Sequence, residues 1–399
     1  MERNLRLLLA IKALMMSLFP VAIITLFWKY ELGMSMQDIL VLQAAFSITI
    51  AVLEFPAGHL GDRMGYRLSL ITGLTIATAG WTVYVFADRF ALVLLAEIIM
   101  ATGLVFVSGS DQALMYESLA ALDNREAYTR WSGRWVAVGQ LGEGLAALSA
   151  GLLYATWTRL PFVLEVLAFA IAVCLALLLR ETPRDAAPRG THLGEMKEVF
   201  SLSLKRRPLL RWTLLLSCCF GLSTYFPVWI VQLYAREAGV TLAWLGVVWG
   251  VANLCVAAGA TLSSRLESGF GIVPTLVLCL LLMGAGYAGL SLSHAIWGVC
   301  FYFLLTLMRG INQPILLSRV QSLIPSRHRA AVLSMRSLLI RGSFAITAPF
   351  LGAFVDDRGN HDAFQLLGWV FCLLTMVLML LALRQRVSGN PLPGAGADR

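Results

Sequence analysis

A few charged residues interrupt apolar stretches that are long enough to cross a lipid bilayer, and these are the residues that could do chemistry. The cations are Lys12, Arg309 and Arg341, and Glu143, flanked by two glycines, is the most central carboxylate. A charge at the bilayer centre costs about 2.5–3.5 kcal/mol or more, so it persists where it faces a cavity or a partner. A carboxyl group there can load and release protons, and a planar guanidinium suits carboxylates and phosphates. The set therefore indicates proton binding and anion recognition.

Other polar and aromatic residues extend this candidate set. Asp111, Glu97 and Glu54 lie nearer the ends of the apolar stretches and are the next candidates for a proton site. Three cations against a single mid-depth carboxylate would make the local field positive, which favours an anionic or zwitterionic ligand. Tyr225 and Trp229 could stack on an amphiphilic ligand. The alternative interpretation is structural, with the arginines in ion pairs and the aromatic rings in packing.

Enzyme chemistry finds no support in the sequence. The five histidines are scattered over loops and stretch ends, and none has a carboxylate or cysteine partner at the spacing of a metal site or a nucleophile. The seven cysteines all fall within apolar stretches, without the spacing of a disulfide framework. Gly-x-Gly-x-x-Gly and phosphate-loop patterns are absent. We therefore expect no enzymatic activity, no metal and no cofactor.

Composition places these residues in a membrane protein. Hydrophobic residues make up 58% of the 399 residues and charged residues 14%, whereas soluble domains have about 45–50% and 25%. Windows of about 20 residues, enough to cross ~30 Å of hydrocarbon, predict twelve membrane spans. We number them in chain order as spans 1 to 12, with limits 5–29, 36–57, 68–87, 90–113, 132–156, 160–179, 208–233, 241–264, 272–292, 294–318, 332–355 and 362–383.

The distribution of basic residues predicts the orientation of these spans. If both termini are cytoplasmic, 23 of the 31 Lys and Arg residues lie on the cytoplasmic side or at the span ends that adjoin it, 5 lie on or next to the opposite side, and 3 lie deeper within spans. Basic residues are retained on the cytoplasmic side, so this orientation is favoured over its reverse. The net charge of +8 is then explained by topology and by contact with anionic lipid rather than by nucleic-acid binding.

The chain is internally doubled. Three pairs of arginines are each separated by 202 residues, namely Arg63 and Arg265, Arg125 and Arg327, and Arg134 and Arg336. This repeat predicts two six-span halves related by an axis along the membrane normal, with the substrate between them near mid-depth. The predicted parts are an N-terminal bundle at 1–180, a cytoplasmic linker with an amphipathic helix at 181–207, a C-terminal bundle at 208–386 and a disordered tail at 387–399.

A segment rich in glycine and charge, Gly58-His-Leu-Gly-Asp-Arg-Met-Gly-Tyr-Arg67, joins spans 2 and 3. Its glycines permit a tight reversal, and its charges gather at the mouth of a helix pair. The segment resembles the signature between the second and third spans of the major facilitator superfamily, with Tyr66 where that family usually has Arg or Lys. Leu53-Glu-Phe-Pro-Ala-Gly58 and the segment that begins Ser108-Gly-Ser-Asp-Gln resemble a bacterial branch rich in drug and metabolite exporters.

This resemblance implies an inner gate, a charge cluster that holds the two halves together on the cytoplasmic side when the protein opens outward. Within it, Asp62 would cap the N-terminus of span 11, where the helix dipole favours a carboxylate. The residues assigned to the gate are Gly58, Gly61, Asp62, Arg63, Gly65, Arg67, Asp111, Glu117 and Arg134.

The resemblance also implies the fold and the function. We expect an all-α membrane protein with twelve transmembrane helices in two pseudo-symmetric six-helix bundles. The expected function is proton-coupled export of a small amphiphilic, anionic compound by alternating access. The expected location is the bacterial inner membrane, with both termini cytoplasmic. The expected partners are a small-molecule substrate, protons and the lipid bilayer, without nucleic acid, and the monomer is expected to be the functional unit.

Two departures leave alternatives open. Glu97 lies near where many proton-coupled antiporters of the family have a functional arginine, and span 5 lacks the Gly-Pro pair of these antiporters. A metabolite uptake symporter, a lipid flippase and a membrane receptor that does not transport are the alternatives.

Overall fold

The computed structural model describes residues 1–182, 207–324 and 329–388, except for the side chains of residues 55–63, 129, 329–331 and 386–388. These described residues form helices and connecting turns and contain no β-strand. The amphipathic helix predicted in the linker, and the tail after residue 388, lie outside the described residues.

The first six spans account for the N-terminal half. Their helices are Glu2–Met15, Ile24–Leu26 and the π-helical turn Phe27–Glu31 in span 1, Met36–Met64 in span 2, Tyr66–Phe86 in span 3, Phe90–Val107 and Ser110–Ala120 in span 4, Tyr128–Thr156 in span 5 and Leu160–Leu177 in span 6. Span 1 is broken between residues 16 and 23, where the carboxylate of Glu165 in span 6 accepts a hydrogen bond of 2.9 Å from the backbone N–H of Phe19.

The remaining spans form the C-terminal half. Their helices are Pro208–Tyr225 and Pro227–Glu237 in span 7, Leu242–Phe270 in span 8, Ile272–Leu292 in span 9, Cys300–Ser322 in span 10, and Arg329–Ser388, which contains spans 11 and 12. Gly359 divides the last of these with a φ of 86°.

The twelve predicted spans are confirmed. Within the described ranges, ten helices are long and apolar enough to cross a membrane. The last of them, Val332–Gln385, holds spans 11 and 12, and the broken span 1 is the one that this length criterion does not include.

The internal repeat is visible in the helix bounds, but with a different offset. Spans 2 and 3 are 29 and 21 residues long, and so are spans 8 and 9, which begin 206 residues later. Gly65 and Gly271 separate the two helices of each pair, with φ of 105° and 83°, a conformation that a residue with a Cβ rarely adopts. The 202-residue offset between Arg63 and Arg265 therefore does not pair equivalent positions, because the structural counterpart of Arg63 is Gly269.

The two bundles meet mainly on one side of the membrane region. Each bundle contains an even number of spans, so both chain ends lie on one side, which we call the terminal side, and the opposite side is the distal side. Span 5 packs against span 8 near their distal ends, where a Cβ at Gly151 would overlap the carbonyl oxygen of Leu242 and a Cβ at Gly246 would overlap that of Ala147. Backbones this close exclude larger residues, so the distal side is closed.

Span 1 and span 7 complete this closure. The side chain of Gln232 in span 7 accepts a hydrogen bond of 3.2 Å from the backbone N–H of Thr25 and donates one of 2.9 Å to the carbonyl oxygen of Val21. Among the residues that the structure describes, hydrogen bonds between the bundles occur on the distal side and at mid-depth, with none nearer the terminal side. The protein is thus in a conformation closed on the distal side.

Candidate substrate and proton site

Glu143 joins the two bundles at mid-depth. Its Oε1 atom accepts hydrogen bonds from Trp249 Nε1 at 2.9 Å and from Asn253 Nδ2 at 3.2 Å, and both donors belong to span 8 in the opposite half. The side chain is 8% exposed. The sequence indicates that this carboxylate lies near mid-depth, but it does not identify the partners. Two donors satisfy one carboxylate oxygen, which makes this contact sensitive to a change in charge.

Lys12 lies on the wall of the N-terminal bundle beside the same carboxylate. Its Nζ atom is 3.8 Å from the centroid of the Trp135 ring, a cation–π distance. The ammonium group is within Coulombic range of both Asp111 and Glu143. Gly139 leaves room for the lysine, because a Cβ there would be 3.0 Å from Lys12 Cε. The fold therefore brings together the predicted residues Lys12, Asp111 and Glu143. It also adds Trp135, which the sequence did not indicate.

Arg309 faces this group from span 10. Tyr302, two helical turns earlier, is buried and within Coulombic range of both Arg309 and Glu143, which places this face of span 10 toward the bundle interface. Gln313, one turn later, is also exposed and continues this polar face toward the terminal side. In the described part of the chain, no carboxylate lies within 4.0 Å of the Arg309 guanidinium. Arg309 is thus an exposed cation next to the interface.

Arg341 has a different neighbour from the one expected. Its Nε donates to Ser337 Oγ at 3.3 Å on its own helix, and its charge is within Coulombic range of Glu54 in span 2. The structural alternative for this arginine was an ion pair, but among the described residues no carboxylate lies within 4.0 Å of its guanidinium. The expected balance of three cations against a single carboxylate is corrected, because Asp111 acts on the charge of Lys12 and Glu54 on that of Arg341.

The predicted aromatic pair lies in span 7. The Trp229 ring centroid is 6.0 Å from that of Trp28 in the opposite bundle, and Trp229 Nε1 is buried without a hydrogen-bond partner among the described residues. The Tyr225 ring packs edge-on against Phe344 at 4.5 Å. Trp229 therefore spans the bundle interface, whereas Tyr225 is held by its own bundle.

Glu97 is separate from these residues. It is 2% exposed, and its Oε1 accepts hydrogen bonds from the Tyr84 hydroxyl and, at 3.2 Å, from Gln43 Nε2. All three residues belong to the N-terminal bundle. Glu97 thus takes part in a buried network inside one bundle, whereas Glu143 contacts the opposite bundle.

The gate residues divide into two groups. Gly58, Gly61, Asp62 and Arg63 lie in the helix of span 2, but their side chains are outside the described part of the structure, so the cap predicted for Asp62 stays a prediction. Arg67 is described. Its Nη2 donates to the carbonyl oxygen of Leu177 at 2.9 Å, and its backbone N–H donates to Glu181 at 3.0 Å.

Gly65 and Glu181 explain this local arrangement. A Cβ at Gly65 would lie 2.7 Å from Glu181 Oε2, so the glycine lets the carboxylate reach the first N–H groups of span 3. A carboxylate at a helix N-terminus is favoured by the helix dipole. Arg67 and Gly65 therefore connect span 3 to the end of span 6 inside the N-terminal bundle. Glu181 was missed because it lies more than a hundred residues away in the chain.

The other gate residues do not form the predicted cluster here. Asp111 Oδ1 accepts a hydrogen bond of 2.7 Å from the backbone N–H of Gln112, and its carboxylate is within Coulombic range of Lys12. Arg134 is exposed, with its guanidinium carbon 5.1 Å from the Trp131 ring centroid, and Glu117 is half-buried. As far as the described side chains show, no ion pair joins Asp111 or Glu117 to Arg67 or Arg134. Two charged members of the cluster, Asp62 and Arg63, have side chains outside the described part, so the gate stays a prediction.

Comparisons with known proteins agree with this architecture. Residues 7–348 match the sequence profile of the Major Facilitator Superfamily. The uncharacterized MFS-type transporter YceJ of Bacillus subtilis (strain 168) is 23% identical over 342 residues, which cover 84% of each protein. The drug efflux pump JefA of Mycobacterium tuberculosis (strain CDC 1551 / Oshkosh) is 29% identical over 147 residues, which cover 36% of this chain and 28% of that protein.

Solved structures show the same fold at low sequence identity. The nucleoside transporter NupG superimposes with a TM-score of 0.79 at 12% identity, covering 95% of this chain and 99% of that one. A POT family transporter in complex with a thioalcohol conjugated peptide gives a TM-score of 0.76 at 14% identity, covering 96% of each chain. These comparisons confirm the resemblance and the fold inferred from the sequence. The chain belongs to the major facilitator superfamily and is a multi-pass membrane transporter rather than an enzyme.

Proposed function

We propose that this transporter exports a small amphiphilic anion across the bacterial inner membrane by alternating access, in exchange for protons, and that it works as a monomer. The observation that carries the proposal is the contact between Glu143 and span 8, because it places an ionisable group on the interface that must open and close. In this proposal the transporter is embedded in the lipid bilayer, with its terminal side facing the cytoplasm. The supporting observation for this orientation is the concentration of Lys and Arg residues on the terminal side.

Proton coupling follows from the chemistry of the Glu143 contact. An ionised carboxylate is an acceptor only, and its hydrogen bonds from Trp249 and Asn253 are charge-assisted. Protonation removes that charge and weakens the link between the bundles. A proton bound from the distal side would therefore favour separation of spans 5 and 8 at this depth, and release of the proton would favour their closure. A ligand shifts such an equilibrium only through its different affinity for the two states.

Lys12 provides the competing positive charge. It is within Coulombic range of Glu143 and Asp111, so a proton on either carboxylate changes the charge balance around the lysine. An anionic substrate near Lys12 would raise the cost of removing a proton from these carboxylates, whereas a cationic substrate would lower it. Exchange of an anion for a proton would therefore depend on the two conformations, with the anion binding more tightly to one and the proton to the other.

Substrate recognition is proposed to centre on Arg309. It is exposed beside the interface and has no carboxylate within 4.0 Å among the described residues, so an anionic group of the substrate would supply the missing partner. Arg341, with Glu54 nearby, would take a secondary part in this recognition. The aromatic rings of Trp229 and Tyr225 would contact the apolar portion of the amphiphile, and the unpaired Nε1 of Trp229 could donate a hydrogen bond to a polar group of it.

The direction of transport is supported by similarity to an efflux pump over part of the chain. Uptake of a metabolite is the nearest alternative. A screen of ligand-induced thermal shifts on the purified protein would first identify a compound that binds. Accumulation of that compound in everted membrane vesicles would support export, and accumulation in right-side-out vesicles would show uptake. Movement of a labelled phospholipid would show a flippase, and binding without any flux would show a receptor.

The coupling proposal is tested with Glu143→Gln in proteoliposomes. The amide keeps a hydrogen-bond acceptor but cannot titrate, so accumulation driven by a pH gradient should be abolished while substrate exchange persists. Glu165→Gln is the matched control, because Glu165 is also a buried carboxylate but accepts its hydrogen bond from Phe19 inside its own bundle. Unchanged gradient-driven accumulation by Glu143→Gln would move the proton site elsewhere, with Asp111 as the next candidate.

A further inference from the structure

Two histidines form a pair on the distal side of the C-terminal bundle. His294 lies in the connection between spans 9 and 10, and His361 lies two residues after Gly359, where span 12 begins. Their ring centroids are 4.0 Å apart. No metal-ligand spacing connects these residues in the sequence, because they are far apart in the chain and only the fold brings them together.

The hydrogen bond of His361 determines which ring nitrogen is available. Its Nδ1 atom lies 3.2 Å from the carbonyl oxygen of Ser291. A carbonyl oxygen can only accept, so Nδ1 carries the proton and the Nε2 atom of the neutral ring keeps its lone pair. Histidines that bind metal ions almost always donate their other ring N–H to a carbonyl or carboxylate, which fixes the tautomer and the ring orientation. His361 is therefore prepared as a ligand.

The surroundings hold this ring in place and leave its partner accessible. The Tyr234 ring packs edge-on against His361 at 5.3 Å, and the Tyr234 hydroxyl donates to the carbonyl oxygen of Ser293 at 2.8 Å. His294 is exposed, so it can turn toward an arriving ion. Tyr234 thus connects span 7 to both segments of the pair.

We propose that His294 and His361 form a binding site for a divalent transition-metal ion of the zinc type, on the distal surface. Imidazole nitrogen is a preferred ligand for such ions. Among the described residues, no group of three or more His, Cys, Asp or Glu side chains could hold a metal ion, so water would complete the coordination shell. Both ligands belong to one bundle, so the ion would bind without movement of the bundles. It would link the connection between spans 9 and 10 to the start of span 12.

The test is isothermal titration calorimetry, in which ZnCl₂ is added to the purified, tag-free, full-length protein and the heat of Zn²⁺ binding is measured. One site is expected, and His294→Ala and His361→Ala should each weaken Zn²⁺ binding by at least about tenfold. His59→Ala, His192→Ala and His328→Ala, which change the three remaining histidines, should leave it unchanged. Binding that is retained in both pair variants, or an absence of Zn²⁺ binding by the unaltered protein, would overturn the proposal.

A second measurement does not depend on how the variants fold. Electron spin echo modulation of Cu²⁺ added in equimolar amount to the unaltered protein should show two imidazole nitrogens coordinated to one ion. A spectrum with one imidazole or with none would count against the site. Neither experiment measures transport. The metal-site proposal can therefore fail while the proposed transport function stands, and the transport function can fail while the metal site stands.

Discussion

Asp356, near the distal end of span 11, accepts a hydrogen bond of 2.8 Å from the backbone N–H of Met36, the first residue of span 2 in the opposite bundle. Its other carboxylate oxygen, Oδ2, accepts a hydrogen bond of 2.8 Å from the backbone N–H of Gln37, and Lys29 Nζ lies 3.7 Å from Oδ1. A carboxylate from one bundle thus caps a helix of the other. The arrangement is the distal counterpart of the cap that the sequence predicts on the terminal side, where Asp62 of span 2 would meet span 11.

Asp356→Ala should shift the protein toward a state that is open on the distal side. A carboxylate at a helix N-terminus contributes about 0.3–1 kcal/mol, and up to ~2 kcal/mol when it is partly buried. Loss of ~1–2 kcal/mol would raise the ratio of distal-open to distal-closed protein by about 5–30-fold. Spin labels at Asp88 and Trp297, which are exposed at distal ends of the two bundles, would report the distance in a cysteine-free background.

The matched control for this prediction is Asp357→Ala. Asp357 is the next residue along the chain and is exposed, and its carboxylate pairs with the adjacent Arg358 at 3.0 Å rather than with the opposite bundle. The distance distribution of this variant should equal that of the unaltered protein. If both variants or neither changed the distribution, the helix cap would not be the part of the interface that holds the distal side closed.

Gly246→Ala should impair distal closure through steric overlap alone. Its Cβ would overlap the carbonyl oxygen of Ala147, and an overpacked interface costs about 1–3 kcal/mol. Substrate flux should fall, and the protein should still insert and fold. Gly250→Ala, one turn along the same helix, is the control, because its Cβ would meet only Leu148 Cδ2 at 3.8 Å. Equal flux in the two variants would show that spans 5 and 8 need not come this close.

Arg309→Lys should weaken binding of anionic substrates by about 1–3 kcal/mol, because lysine keeps the charge but loses the bidentate geometry. Arg319→Lys is the control on the same helix, since Arg319 pairs with Glu267 at 3.4 Å near the terminal side. Direct binding measurements across anionic, neutral and cationic ligands decide the matter. The anion proposal is wrong if neutral or cationic compounds bind best and Arg309→Lys leaves their affinity unchanged.

Asp62→Asn should slow transport by about tenfold, equivalent to about 1.4 kcal/mol, through a weaker clamp on the terminal side. The protein should fold and insert normally, because the substitution keeps the size of the side chain. Initial rates of flux are compared at equal amounts of reconstituted protein. If the variant transports at the unaltered rate, Asp62 has no part in the gate.

Several features of this protein could be predicted from the order of its residues. The length and hydropathy of the apolar stretches require helices, because backbone polar groups in hydrocarbon must be satisfied within each segment. Twelve spans and two similar halves follow from that requirement and from the repeat. The glycines and charges between spans 2 and 3 identify the family. Charges at mid-depth must face other protein or a cavity, which is why Lys12, Glu143 and Arg309 could be chosen as candidates for binding protons and substrate.

Only the tertiary structure decided which of these residues meet. Glu143 and Trp249 are 106 residues apart in the chain, and Asp356 and Met36 are 320 apart. Helical periodicity indicates which face of a helix is polar, but it does not specify the rotation and depth of one bundle against the other. The same limit applies to Arg341, whose nearby acid is Glu54. It also explains the undetected histidine pair. Contacts between bundles depend on the packing of whole helices and on the conformation adopted, and neither is encoded within a local window of sequence.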